Sequence, residues 1–242
     1  MADSAKRESP VLVAVAPARS ADRPTIANAY ARPAKQQRSR ASFERAVDAA
    51  VALLVERRSD AFTLNEVAER AGVSIGSIYG RVDSKDDLLR AAQAREIARL
   101  SVEQAAAFRA LASEAQQPLA ETVTRTIRTL AVLLRENAAI LAGFMVLANH
   151  DSAVGELGKA SHDEMVAAFC AAVLSRRAEI THPDPERAVT WACTVSYSVL
   201  ARWLGLGSEQ EAAGEGDWEV ILADLSEMVT AFLQHGSGRA TR

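Results

Sequence analysis

Cysteine, proline, glycine and aromatic residues are all scarce in this chain of 242 residues. It has two cysteines, seven prolines and twelve glycines, and 5% of its residues are aromatic. The few prolines and glycines argue against a chain rich in tight turns. Two thiols cannot form the disulfide framework of a small secreted domain. Cys170 and Cys193 are interpreted as small buried residues in a reducing cytoplasm, with a redox-sensing pair as the alternative.

The motifs of several enzyme classes are also missing. The sequence has no glycine-rich phosphate loop, no G-x-S-x-G, no metal-ligand cluster and no histidine beside an obvious nucleophile. We therefore expect no catalytic residue, no cofactor and no metal. A small helical enzyme whose catalytic groups leave no linear motif is kept as an alternative.

Long hydrophobic runs are absent as well. No uninterrupted run approaches the roughly 18 apolar residues of a membrane span. The short apolar run at residues 11–16 is too short for a signal peptide, and Glu8 interrupts the basic region before it. The sequence predicts a cytoplasmic protein with no membrane partner.

Alanine and leucine are abundant, which favours an all-α protein with a sizeable core. The net charge of −3 is uneven: residues 1–95 carry 16 Lys and Arg against 12 Asp and Glu, and the remainder carries 12 against 19. A basic front and an acidic rear suit a protein that presents one end to phosphate.

Residues 63–79 have the pattern of a helix-turn-helix. Thr63 and Glu66 form an S/T-x-x-E capping box at the start of a short helix. Gly72 can take the positive φ that a tight reversal needs. Ser74 is placed to cap a second helix, and Ile78 would lie on the buried face of that helix.

The second helix is predicted to expose Ile75, Gly76, Ser77 and Tyr79. A face so small can enter a major groove, which is about 12 Å wide. An ordinary αα-corner in a helical protein is the alternative interpretation of the same pattern.

A further capping pair, Ser84 and Asp87, opens the next helix, and Lys85 lies in its first turn. A cation there opposes the helix dipole, so the pattern favours a nearby anion. A DNA phosphate would supply that anion; a solvated surface lysine is the alternative.

Residues 43–92 resemble the tetracycline-repressor (TetR) family of transcription regulators. The string TLNEVAERAGVSIGSIY, followed by SKDDLL, carries the resemblance. It implies an N-terminal three-helix helix-turn-helix head and a C-terminal helical ligand-binding and dimerisation bundle. It also implies DNA contacts at Thr63, Ser74, Gly76, Ser77, Tyr79 and Lys85. With the exposed Ile75 and the basic Arg40 and Arg81, these residues form the predicted DNA-binding set.

The chain departs from the family pattern at three places. Leu54 stands where an aromatic residue is usual, and Arg58 stands where a glycine usually ends the first helix. Residues 80–82, Gly-Arg-Val, replace two polar residues and a phenylalanine. Val82 is expected to pack inward, whereas Gly80 is expected to loosen the end of the reading helix.

The predicted domains are a disordered extension at 1–38, a helix-turn-helix domain at 39–90, an effector-binding and dimerisation domain at 91–236, and a disordered tail at 237–242. The extension ends in basic residues, which could follow a phosphate backbone or belong to an untethered tail. Helices are predicted at 40–58, 84–111, 118–136, 138–149, 153–180, 184–204 and 217–235.

The last two predicted helices have apolar stripes that suit a symmetric four-helix interface. The predicted interface residues are Val195, Val199, Trp203, Trp218, Ile221, Leu222, Leu225, Met228 and Phe232. A monomer whose own core covers both stripes is the alternative.

The middle helices carry large or amphipathic side chains that could surround a small, largely apolar effector. The predicted ligand-binding residues are Phe144, Met145, His162, Met165, Phe169, Trp191 and Tyr197. Each of them could also be an ordinary core residue.

The combined prediction is a homodimeric, ligand-responsive repressor that binds a palindromic operator and is released by its effector. Coupling would run through the long helix that starts at Ser84. The alternative is a helical small-molecule-binding or scaffold protein that no longer reads DNA.

Overall fold

Eight α-helices make up most of this computed structural model, which describes residues 26–113, 117–207 and 213–235 and the side chains from residue 37 onward, except 112 and 113. They are α1 (Ile26–Arg57), α2 (Leu64–Ala71), α3 (Ile75–Tyr79), α4 (Lys85–Ser113), α5 (Leu119–Ala148), α6 (Ser152–Leu174), α7 (Pro185–Trp203) and α8 (Trp218–Gln234). One short 3-10 helix, Arg177–Glu179, follows α6. Those ranges contain no strand, which confirms the all-α prediction.

The first helix starts at Ile26, well before the predicted start at residue 40. Residues 34–42, AKQQRSRAS, are mostly residues of high helix propensity, so the helix continues upstream without a break. The described part of the predicted extension, residues 26–38, thus lies in α1, and the predicted disorder of the extension stays a prediction. Residues 1–25 and the predicted tail at 237–242 lie outside the described residues. The chain divides into two units, residues 1–40 and residues 41–242.

A first hydrophobic cluster, called the head core here, lies around α2 and α3. It joins the C-terminal half of α1 to both short helices, to the start of α4, and to the facing parts of α5 and α6. Its buried members are Ala46, Val47, Ala49, Ala50, Leu53, Leu54, Phe62, Leu64, Val67, Ala68, Ile78, Leu88, Leu89, Ala92, Phe144, Leu147 and Val154. The partly buried Phe43, Ala71 and Val73 pack at its edge, as does Val82, which was expected to pack inward.

The longest helix of the body, α5, replaces two predicted helices at 118–136 and 138–149. The predicted break falls at Asn137, whose side-chain amide donates to Leu133 O at 2.9 Å and whose Oδ1 accepts from Arg99 at 2.8 Å. Because both polar ends of this buried side chain are satisfied, the helix passes through without interruption. By length and composition α5 could also cross a membrane, but in this structure it packs against four other helices.

A second cluster, called the body core here, surrounds α5, which packs against α4, α6, α7 and α8. The predicted helix over 153–180 ends at Leu174 instead. The chain then turns through the 3-10 helix, which brings the Glu179 carboxylate to accept from the Leu119 N–H at 2.8 Å. The start of α5 has no side-chain cap of its own, so Glu179 satisfies one of its free donors.

Candidate functional site

The helix-turn-helix corner forms as the capping pattern predicts. The Glu66 N–H donates to Thr63 Oγ1 at 3.2 Å, and the Thr63 N–H donates to Glu66 Oε2 at 2.7 Å. Arg57 of α1 adds a bond of 2.7 Å to Glu66 Oε1. This guanidinium, with the two bonds from Thr63, lowers the pKa of the Glu66 carboxyl to about 2. The cap of α2 is therefore held in place by the preceding helix.

The turn between α2 and α3 depends on Gly72, which has φ +60° and ψ +41°. Its N–H donates to carbonyl oxygens in the last turn of α2, as in a left-handed C-cap. A Cβ built at this position would meet no atom within 4 Å. The requirement for glycine here is thus a matter of backbone conformation and not of space.

The second helix, α3, begins at a capping serine and presents a small outer face. The Ser77 N–H donates to Ser74 Oγ at 3.2 Å, and the two hydroxyl groups are 2.7 Å apart. Ile78 is fully buried, whereas Tyr79 is 55% exposed and Gly76 is exposed. The exposed side formed by Ser74, Gly76 and Tyr79 is called the reading face below.

Two of the residues predicted to be exposed on α3 are partly covered. Ile75 packs against the head core, because it lies three residues before Ile78 on the same side of the helix. Ser77 is half-buried, with its hydroxyl turned to Ser74. The reading face is therefore narrower than the sequence predicts.

Lys85 finds its anion within the protein. Its Nζ donates to Asp60 O at 2.6 Å and to Asp60 Oδ2 at 3.0 Å, and it lies 5.5 Å from the centre of the Phe62 ring. The bond from Lys85 lowers the pKa of the Asp60 carboxyl. The predicted capping pair of Ser84 and Asp87 is confirmed, since the Asp87 N–H donates to Ser84 Oγ at 3.1 Å. The placement of Lys85 thus needs no DNA phosphate to explain it.

The remaining basic residues of the predicted DNA-binding set lie at the surface. Arg40 is exposed in α1, and Arg81 is exposed just after α3. Their contact with DNA stays a prediction.

A cavity of about 330 Å³ lies among α4, α5, α6 and α7. Five predicted ligand-binding residues line it, namely Phe144, Met145, His162, Met165 and Tyr197. The remaining lining residues are Gln93, Glu96, Ile97, Leu100, Gln104, Leu130, Leu133, Leu134, Leu141, Ala148, Val154, Gly155, Gly158, Lys159 and Ser161. Its volume and largely apolar wall are those of a small-molecule site.

Two predicted ligand-binding residues do not line this cavity. Phe169 is fully buried in the body core, and Trp191 is 56% exposed at the surface of α7. Both lie on helices of the cavity, but a helix has several faces and the sequence does not say which one meets the cavity.

Helix α4 also lines the cavity, whereas the sequence predicts it only as the link between the head and the body. The signal is weak but present. Gln93 and Glu96, three residues apart on one side of α4, are only 2% and 7% exposed, respectively. These polar side chains lie next to the apolar Ile97 and Leu100. A helix side that carries both polar and apolar residues is consistent with the wall of a cavity.

The cavity wall and the head core share residues. Phe144 and Val154 belong to both. The buried Gln93 amide donates to Val154 O at 2.8 Å, which ties α4 to α6 at the cavity. One residue before Phe144, a Cβ added to Gly143 would lie 2.8 Å from Leu54 Cγ, so α5 and α1 approach closely here.

Apolar side chains remain exposed on the last two helices. Trp191, Val195 and Val199 recur every four residues along α7, and Trp191 and Val199 are 56% and 37% exposed. On α8, Met228 is 64% exposed and Ile221 is half-buried.

Several predicted interface residues are used inside the chain instead. Leu222 and Leu225 are each only 3% exposed and belong to the body core, which corrects their assignment. Trp203 and Trp218 pack against each other with ring centroids 4.4 Å apart. Phe232 packs against His182 at 5.1 Å. Part of the apolar surface of α8 is thus used for packing within its own chain, and only the remainder is available to a second subunit.

Comparisons with known proteins agree with this geometry. Residues 46–92 match the family described as bacterial regulatory proteins, tetR family. An uncharacterised HTH-type transcriptional regulator of Mycobacterium tuberculosis is 29% identical over 164 residues, covering 68% of this chain and 77% of the relative. The helix-turn-helix region of the chain is thus similar to the tetR family.

Solved structures support the fold over most of the length of the chain. A tetR-family regulator from Mesorhizobium loti has a TM-score of 0.62 and 18% identity, covering 81% of this chain and 96% of that one. The fatty acid degradation regulator FadR from Bacillus halodurans has a TM-score of 0.58 and 14% identity, covering 83% and 97%. The likeness to both confirms the fold, with its head and helical body.

The departures from the tetR-family pattern have different structural consequences. Arg58 adopts φ +47°, so the position that usually holds glycine does require the left-handed conformation. Leu54 is fully buried and fills its place in the head core. Gly80 has φ −72°, an ordinary helical value, so its backbone conformation is open to any residue.

The two cysteines lie in neighbouring helices of the body. Burial raises the pKa of the Cys193 thiol to about 12, and burial also raises the pKa of Cys170. A thiol held protonated is a poor nucleophile. Both residues therefore fit the interpretation as packing residues better than the redox pair.

Proposed function

We propose that this tetR-family regulator is a homodimeric repressor in the cytoplasm, which binds a palindromic operator and is released by a small, largely apolar effector. The reading face carries the proposal. A capped pair of short helices presents Gly76 and Tyr79 to solvent, and the rest of α3 is held by the head core. An exposed aromatic side chain beside a glycine offers a thin surface that fits a major groove.

Dimerisation is supported by the apolar side chains left uncovered on α7 and α8. Exposed apolar groups that recur along two adjacent helices are typical of protein interfaces. A two-fold axis between these helices would pair them into a four-helix contact and present two heads to the two halves of a palindrome.

Effector response is supported by the shared residues of the cavity and the head core. An effector that displaces Phe144 or Val154 changes the packing of the head core in the same movement. It shifts the equilibrium only by the difference in its affinity for the DNA-bound and released conformations. The coupling between effector and DNA, which the sequence predicts through α4, would therefore also involve α5 and α6.

The decisive experiment selects duplexes from a random pool with the full-length protein and then measures affinity for the selected sequence. The test variant is Gly76→Glu. A Cβ at Gly76 meets no atom within 4 Å, and an acidic residue in the first turn of a helix is favoured by the dipole. The variant should fold normally and lose at least about tenfold in affinity, because the new carboxylate faces phosphate.

The control for this substitution is Val102→Glu. Val102 is 68% exposed on α4, outside the head core and the cavity wall, so the added charge should leave operator affinity unchanged. Failure of the parent protein to enrich any duplex would favour the alternative, a helical ligand-binding protein that no longer reads DNA. Equal operator affinity of both variants and the parent protein would exclude the reading face as the DNA-binding surface.

A further inference from the structure

The charged side chains in the cavity wall are paired within the protein. Glu96 accepts from Arg95 Nη2 at 2.8 Å on one oxygen and from Arg99 Nε at 2.9 Å on the other. Burial would raise the pKa of Glu96, but the bonds from Arg99 and Arg95 outweigh burial and lower it. Lys159 donates to Asp163 of the same helix. Both charges therefore have a partner of opposite sign within the protein.

Two further polar side chains of the cavity wall lie side by side. Tyr197 of α7 and His162 of α6 meet edge to face, with ring centroids 4.7 Å apart. Within the described residues neither the Tyr197 hydroxyl nor the His162 ring has a hydrogen-bond partner. Burial raises the pKa of the Tyr197 phenol, which keeps it protonated and able to donate.

Much of the rest of the wall is apolar. Leu130, Leu134, Phe144, Met145 and Met165 supply it, and methionine side chains adapt to ligands of different shape. A buried ion without a partner is costly, whereas an apolar body with one satisfied hydrogen bond is not.

We infer that the effector is an uncharged, mainly apolar molecule with one hydroxyl or carbonyl oxygen, which binds the hydroxyl of Tyr197 next to His162. This inference rests on the proposed function for the role of the ligand as an effector. A carboxylate ligand would compete with Glu96 for an arginine or with Asp163 for the lysine. Tyr197 is accordingly the residue that determines specificity for the headgroup.

The test uses three probes of equal chain length, octan-1-ol, octanoate and octylammonium, with the full-length protein and no DNA. Calorimetric titration at neutral pH should give an affinity for octan-1-ol at least about tenfold above that for either ion. Equal or tighter binding of octanoate or octylammonium overturns the inference. So does the absence of binding by all three probes.

The headgroup contact is tested with Tyr197→Phe, which removes the hydroxyl and keeps the ring. Affinity for octan-1-ol should fall about three- to tenfold, as expected for one neutral hydrogen bond. Tyr79→Phe removes the same hydroxyl outside the cavity and should leave the affinity unchanged. Unchanged binding in Tyr197→Phe, with a normal unfolding temperature, overturns the assignment of Tyr197.

Because these titrations contain no DNA, the two proposals fail in different ways. Binding of octan-1-ol that does not release the operator leaves the ligand class intact and removes the effector role. Release of the operator by octanoate alone preserves the proposed function and removes the inference about charge.

Discussion

At the scale of single residues, two residues with left-handed backbone conformation lie on either side of α2, the first helix of the helix-turn-helix. Arg58 has φ +47° and Gly72 has φ +60°, but only the second is a glycine. For a residue with a Cβ this conformation costs roughly 1–2 kcal/mol. We predict that Arg58→Gly raises the free energy of unfolding by about 1 kcal/mol, measured by urea denaturation.

The opposite change at the second position is the matched control. Gly72→Ala places a Cβ where no atom lies within 4 Å, so it tests the backbone alone. It should lower the free energy of unfolding by about 1 kcal/mol. If both substitutions changed stability in the same direction, the backbone account of this pair would be wrong.

Local patterns explain why the caps at Thr63, Ser74 and Ser84 could be predicted. Each cap and its partner lie three residues apart, so the sequence contains the whole interaction. The partner of Lys85 could not be found this way. Asp60 lies 25 positions earlier in the chain, and only the fold brings the two together.

At the scale of helices, the close approach of α5 to α1 determines how the body meets the head. A Cβ on Gly143 would lie 2.8 Å from Leu54 Cγ, and Leu54 is fully buried and cannot move aside freely. We predict that Gly143→Ala lowers the free energy of unfolding by about 1 kcal/mol. Overpacking costs roughly 1–3 kcal/mol, and the higher helix propensity of alanine returns up to about 1 kcal/mol.

Gly158→Ala makes the same change in α6 without the clash. Its Cβ would have Gln93 Nε2 at 3.7 Å, an ordinary contact, so helix propensity should dominate and stability should rise by up to about 1 kcal/mol. Thermal unfolding followed by circular dichroism distinguishes the two. A stabilised Gly143→Ala protein would contradict the packing described between α1 and α5.

Helix type was predictable from the sequence, but helix ends and faces were less so. The predicted break in α5 failed because Asn137 finds partners on its own helix and on α4. Trp191 is predicted to bind the ligand because its side chain is large and amphipathic, but it is 56% exposed and does not line the cavity. Periodicity identifies an apolar stripe, but it does not identify the neighbour that covers the stripe.

At the scale of the whole molecule, the proposed dimer depends on the exposed apolar residues of α7 and α8. We predict that Met228→Glu raises the dimer dissociation constant at least about a hundredfold, because the interface would bury an unpaired charge from each subunit. Sedimentation velocity over a range of concentrations measures this change.

Val102→Glu is again the appropriate comparison. Val102 and Met228 are 68% and 64% exposed, so the two substitutions place the same charge at equally accessible positions. Only Met228→Glu should shift the protein toward monomer. A parent protein that is monomeric at all concentrations would exclude the dimer itself.

The uninterrupted course of α5 has a mechanical consequence. Thirty residues of α-helix form a rod of about 45 Å, at 1.5 Å per residue. One end of this rod lies among the helices of the body, and Phe144 and Leu147 near its other end are embedded in the head core. A tilt of about 5° at the first end would move the second by about 4 Å, so a modest change in the body is magnified where the head is anchored.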